Sequence, residues 1–149
     1  MKARTSGFTL IELVVVIVII GILAAVAAPR FVGLQSDARA SVLRGVEGSV
    51  RSAASLTYAK ALIQGLELGA QSVAVNAPGV ANVNTTDGYP DADQIGLLLD
   101  PFGDPTLLSD GAGVFGYDDG TGAIRANCRV TYVNAGGGAI TVTPLLGGC

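Results

Sequence analysis

The sequence predicts an α+β protein, one long N-terminal helix joined to a small head built on an antiparallel β-sheet. Three observations predict it. Phe8 to Ala28 (FTLIELVVVIVIIGILAAVAA) is an apolar run whose single charge is Glu12. A helical period continues beyond it to about Leu62. Closer to the C-terminus, short segments rich in β-branched and aromatic residues alternate with glycine-rich turns.

Composition narrows the possible functions. The chain has 149 residues, half of them hydrophobic and 14% charged, where an ordinary soluble domain is nearer a quarter charged. It has no His, which excludes Ser-His-Asp and Cys-His catalysis and zinc sites with His ligands. Its 2 Cys cannot supply a four-thiolate zinc or iron–sulfur site. A net charge of −3 opposes a generally basic nucleic-acid surface. A binding, structural or membrane-associated protein remains, or an enzyme working with carboxylates alone. No carboxylate pair stands out from ordinary acidic loops, so neither an enzyme nor a cofactor is expected.

The first element begins after a short basic segment, Met1 to Gly7 (MKARTSG). The apolar run that follows would be about 32 Å long as a helix, against a hydrocarbon core of about 30 Å. Basic residues ahead of it predict a cytoplasmic N-terminus and an external body. A secretory signal peptide would be cut after the run, and Ala25-Val26-Ala27 satisfies that site, but the run exceeds the usual length of such a core. A plain membrane anchor fits the length and leaves Glu12 unexplained. A carboxylate in a spanning helix costs roughly 2.5–3.5 kcal/mol at the centre and less near an end. Glu12 either reaches water at the headgroups or has a partner.

Gly7-Phe8-Thr9-Leu10-Ile11-Glu12 (GFTLIE), after a basic leader and before an unbroken apolar helix, resembles the class III signal of type IV prepilins and related pseudopilins. The resemblance covers about residues 1–60. It implies cleavage between Gly7 and Phe8 by a prepilin peptidase on the cytoplasmic face, N-methylation of the new Phe8 amine, and retention of the apolar helix. Glu12 then acquires a physical role. It can pair with the Phe8 amine of its own chain or of the next subunit, and in low dielectric such a pair recovers part of the cost of either charge alone. The pair would set axial register, while apolar surface would supply association. Gly21 and Pro29 weaken a helix; both are common in membrane helices, and the resemblance implies that the segment between them loses helicity on assembly. It also implies that the apolar half of the helix projects from the head.

From Arg30 the period persists. With Phe31 as origin, Leu34, Ala38, Val42, Val46 and Ala53 share one broad face, and Arg30, Asp37, Arg44, Glu47 and Arg51 gather opposite. Arg39 and Lys60 break the division. Gly65 and Gly69 are the expected stops. Residues 66–112 are rich in Gly, Asn, Asp and Pro and read as a long connecting loop, with a helical turn or short strand over Ile95 to Leu99. Asp87, Asp91 and Asp93 within it offer oxygen ligands of the kind calcium takes, but lack the twelve-residue pattern ending in Glu; no metal is expected. Residues 113–143 read as an antiparallel meander with strands near Val114–Tyr117, Cys128–Val133 and Ala139–Thr143. The predicted organisation is a leader (1–7), a transmembrane and assembly helix (8–29), an amphipathic helix half (30–64) and a head (65–149).

An external head lies in an oxidising compartment, so Cys128 and Cys149 are expected to form a disulfide. Closing a loop of roughly 22 residues stabilises by about 3.4 kcal/mol on chain-entropy grounds. The resemblance agrees, since type IV pilins commonly have a C-terminal disulfide-bonded region. Charge is uneven: residues 30–60 are basic through Arg30, Arg39, Arg44, Arg51 and Lys60, and residues 61–149 hold Arg125 and Arg129 against a majority of Asp and Glu. An acidic head makes nucleic acid an unlikely partner.

The resemblance therefore implies a structural subunit, the major pilin of a type IV pilus, with adhesion or motility as the fibre's role. Its partners would be further copies of itself, the prepilin peptidase, the pilus assembly machinery, and the inner membrane before assembly; its destination would be the extracellular pilus. The loop Asn134-Ala135-Gly136-Gly137-Gly138 before AITVT, with Cys149 as last residue, is similar to the mannose-sensitive haemagglutinin group of pilins. The alternative is a major pseudopilin of a type II secretion system. The two cysteines favour a pilin, because such pseudopilins commonly lack the C-terminal disulfide.

Overall fold

A computed structural model describes residues 8–99 and 104–149, with backbone alone at 30–32. These residues form two compact units, one ending at Ser36 and one spanning Asp37–Cys149. The helix α1, Leu10–Gln64, begins in the first and ends in the second. Thr9 starts it: its Oγ1 accepts the backbone N–H of Glu12 at 3.3 Å, and its carbonyl accepts that of Leu13. A hydroxyl before the first turn thus satisfies a donor the helix cannot. Gly65, at φ 70°, stops it. Its N–H reaches the carbonyl of Leu62 and that of Leu66 reaches Ala61, the paired bonds of a Schellman stop.

Within the second unit, the covered side of α1 is Leu43, Val46, Val50, Ala54, Thr57 and Ala61, all buried and spaced by three and four. The face anticipated from Phe31 is displaced from this one. Val46 is buried and Ala53 partly so, but Leu34, Ala38 and Val42 are exposed. Phe31 lies ahead of the core-forming unit, and Leu43, Val46 and Val50, the largest buried apolar side chains of the helix, set a different centre.

Residues 66–112, expected as a loop, contain a sheet of their own, the first in chain order. β1 (Ala70–Ala77), β2 (Val80–Thr86) and β3 (Tyr89–Pro90) form an antiparallel sheet in sequential order. Asp87 and Gly88, at φ 51° and 79°, make the two-residue turn between β2 and β3, the Asp-Gly pair that this hairpin geometry favours. Burial alternates in β1 and β2, with Val73, Val75 and Val83 turned inward against Ala61. Ile95–Leu98 is a 3-10 turn with Ile95 in the core.

The meander is present and one strand longer than expected. β4 (Leu107–Ser109), β5 (Val114–Asp118), β6 (Ile124–Asn134) and β7 (Ile140–Leu145) pair in chain order, all antiparallel. Cys128, Val130 and Tyr132 alternate inward along β6 and join Phe115, Tyr117 and Val142 against Leu43, Val46, Val50 and Ala54. The helix therefore covers one sheet with its last turns and the other with earlier ones, giving an α+β head.

Candidate functional site

The first unit offers an exposed apolar surface. Every Leu, Ile and Val from Leu10 to Val26 is between 41% and 80% exposed. Such a helix in water leaves a contiguous apolar surface far beyond what a soluble monomer tolerates. Its length and composition suffice to cross a membrane. Phe8 is 82% exposed, directly before the capping Thr9. Glu12 is exposed in the first turn, and no ion pair holds it among the described residues. In an unprocessed chain the Phe8 nitrogen is a peptide amide, so the charge partner anticipated for Glu12 exists only after cleavage. Gly7 and the rest of the leader lie outside the described residues.

Gly21 and Pro29 both lie within α1, which runs unbroken through them. Pro29 has no N–H to donate to the carbonyl of Ala25, so the ladder lacks one bond there. Around Gly21, nothing lies within 4 Å of where a Cβ would stand. Contacts among the described residues therefore do not explain the glycine.

The second unit is tied to its helix by side chains the sequence left unassigned. Arg51, paired with Glu47 at 3.0 Å, also donates from Nη2 to the carbonyl of Val142 at 2.9 Å, on edge strand β7. Arg39, which broke the charge division, lies 5.5 Å from the centre of the Tyr117 ring and donates to the carbonyl of Cys149 at 3.4 Å. Gln64 meets the β1 edge with both ends of its amide, donating to the carbonyl of Ala74 and accepting its N–H, at 3.0 and 3.1 Å. Cys128 and Cys149 are disulfide-bonded, with Cα atoms 4.7 Å apart, so β6 holds the C-terminal segment.

A junction between the sheets forms at the glycine loop after β6. Asn134 Nδ2 donates to the carbonyls of Thr86 and Tyr89 at 3.0 and 2.9 Å, while its Oδ1 accepts the N–H of Gly136. Tyr132 donates its hydroxyl to the carbonyl of Pro90 at 2.7 Å; burial, with the Asp91 charge adding, pushes its pKa up. The Asp87 carboxylate accepts N–H groups of Gly69 and Gly137, and those bonds, Gly69 first, hold it below the usual carboxylate range. Asp91 accepts the hydroxyl of Thr86, and Asp93 the amide of Gln94. The three acids thus turn to separate donors, and no metal-holding cluster of His, Cys, Asp or Glu occurs among the described residues.

Residues 2–28 match the family described as the prokaryotic N-terminal methylation motif. The chain is 52% identical over 61 residues to the type IV narrow pilus major component PilA5 of Thermus thermophilus, covering 41% of this chain and about half, 49%, of that relative. It is 37% identical over 123 residues to the type IV major fimbrial protein FimA of Dichelobacter nodosus, covering 78% of this chain and 73% of FimA. It is also 35% identical over 109 residues to the type II secretion system core protein G of Pseudomonas aeruginosa, covering 70% and 72%. No solved structure matches. A methylation motif opening a long exposed apolar helix, an α+β head closed by a disulfide, and identity that runs through most of FimA together place this chain in the type IV pilin family.

Proposed function

We propose that this chain is the major structural subunit of a type IV pilus, polymerising through its N-terminal helix into a surface fibre for adhesion or motility. The observation that carries the proposal is the exposed apolar surface from Leu10 to Val26, on a helix that begins within the processing motif. A surface of that extent is stable in lipid or against other such helices. The precursor is accordingly a pool in the inner membrane, and the product an extracellular fibre. Prepilin peptidase cuts between Gly7 and Phe8 and the Phe8 amine is methylated. Within the precursor, 8–29 is the membrane-spanning part.

On assembly, Glu12 pairs with a Phe8 amine and fixes the step between subunits. Gly21 and Pro29 let the intervening helix unwind. The role is structural, not catalytic, with copies of the same chain and the assembly machinery as partners. The Asn134–Gly138 loop and the C-terminal Cys149 support a place near the mannose-sensitive haemagglutinin group. The pseudopilin reading has its own support in the similarity to core protein G; the Cys128–Cys149 bond favours the pilus.

Electron microscopy of sheared surface material tests the proposal. Immunogold against the head should decorate long fibres that vanish when the gene is deleted. Label confined to the envelope, with secretion of exoproteins lost on deletion, would favour the pseudopilus.

A further inference from the structure

The outer face of the second sheet carries a cation with no assigned work. Cys128 and Val130 point into the core, so Arg129 between them stands on the opposite face. The register between β5 and β6 breaks there: Asp118 pairs with Ile124, but Gly116 pairs with Arg129, with the surplus residues in β6. The surplus brings Ile124 back beside Arg129 over Gly116. A Cβ at Gly116 would lie 2.5 Å from Ile124 Cγ2 and 2.9 Å from Arg129 Cβ, so only glycine permits the arrangement.

The result is a cleft of about 440 Å³ lined in part by Leu108, Ser109, Asp110, Val114, Ile124 and Arg129. Arg129 Nε is buried and has no hydrogen-bond partner, and no ion pair involves Arg129 among the described residues. The neighbouring acid is already engaged, since Asp110 Oδ1 accepts the N–H groups of Ala112 and Val114 at 2.7 and 2.9 Å. The other head arginine, Arg125, donates to the carbonyl of Asp118. A buried donor without a partner costs free energy, more so on a charged group.

We propose that this cleft binds a small organic monocarboxylate, gripped by the planar guanidinium of Arg129, with its apolar body against Leu108, Val114 and Ile124. Arg and carboxylate match as two parallel N–H···O bonds, a geometry lysine cannot reproduce. Phosphate fits less well. One arginine faces it, and the Asp110 carboxylate on the wall repels a second negative charge. The inference concerns the single subunit and does not depend on fibre formation.

The test uses the full chain dispersed in detergent, with 4-fluorobenzoate as probe, 4-fluorobenzamide as its neutral counterpart, and fluorine NMR as readout. Saturable broadening by the carboxylate is expected, with affinity about tenfold weaker in Arg129→Lys, which keeps the charge and loses the fork. Leu108→Trp, which fills the cleft and leaves Arg129 in place, should abolish binding while the disulfide and thermal transition persist. Equal binding of the amide, or undiminished binding by either variant, would overturn the proposal.

Discussion

Asp87 and Gly137, fifty residues apart, meet directly: the Asp87 carboxylate accepts the Gly137 N–H. The same carboxylate accepts the Gly69 N–H at 2.8 Å, and the Gly69 carbonyl accepts the backbone N–H of Asp87 at 2.9 Å. One side chain thereby joins the start of β1, the β2–β3 turn and the loop before β7. Ionised, it serves three regions that share no strand.

Acid should loosen this junction. The Asp87 pKa is lowered in the folded head, so its contribution is complete above the unfolded carboxylate pKa and is lost as pH falls through the lower folded value. Asp104 and Asp119 are lowered too, chiefly by the hydroxyls of Thr106 and Thr121. Thermal melts from pH 7 to pH 2 should therefore show falling stability in the acid limb. Asp87→Asn should melt lower at pH 7 and show a shallower acid slope, keeping the part due to Asp104 and Asp119. An unchanged slope would assign the junction's strength elsewhere.

The disulfide should matter as a clamp on the C-terminal segment. Replacing Cys128 and Cys149 together by Ala should cost about 3 kcal/mol in denaturant unfolding of the head. Arg39 bonds the carbonyl of Cys149, so Arg39→Met should weaken the same segment by a smaller amount, about 1 kcal/mol. Peptide maps with and without reductant check the link itself.

Much of this fold was legible in the chain because its signals are local. The apolar run, the Gly65 end of α1 and the alternation of Cys128, Val130 and Tyr132 need only neighbours in sequence. The first sheet was missed because β2 reads VANVNTT, polar and short, and its best signal was the Asp87-Gly88 turn. The junction residues Asp87 and Asn134 bond across 50 and 48 positions, a distance that no period reports. Arg39 was visible only as an exception to the charge division, and Arg129 as one cation in an acidic head. At the processing end, the motif is legible but its chemistry waits on a cleavage that creates the Phe8 amine.

Glu12→Leu separates two roles for that carboxylate. The substitution makes α1 more apolar, so membrane insertion should be unharmed. If Glu12 pairs with a Phe8 amine during assembly, the amine is left alone where an unpaired charge is expensive. Surface fibres should fall sharply while subunit accumulates in the membrane, as a membrane immunoblot beside electron microscopy would show. Normal fibre number would mean that Glu12 merely reaches water.

The most direct measurement for the account as a whole is the intact mass of the subunit in sheared, purified fibres. The chain should have lost Met1–Gly7 and gained one methyl group on Phe8, with Cys128 and Cys149 oxidised. A subunit beginning after Ala27, or a chain still carrying its leader within the fibre, would contradict assembly through a retained, processed N-terminal helix.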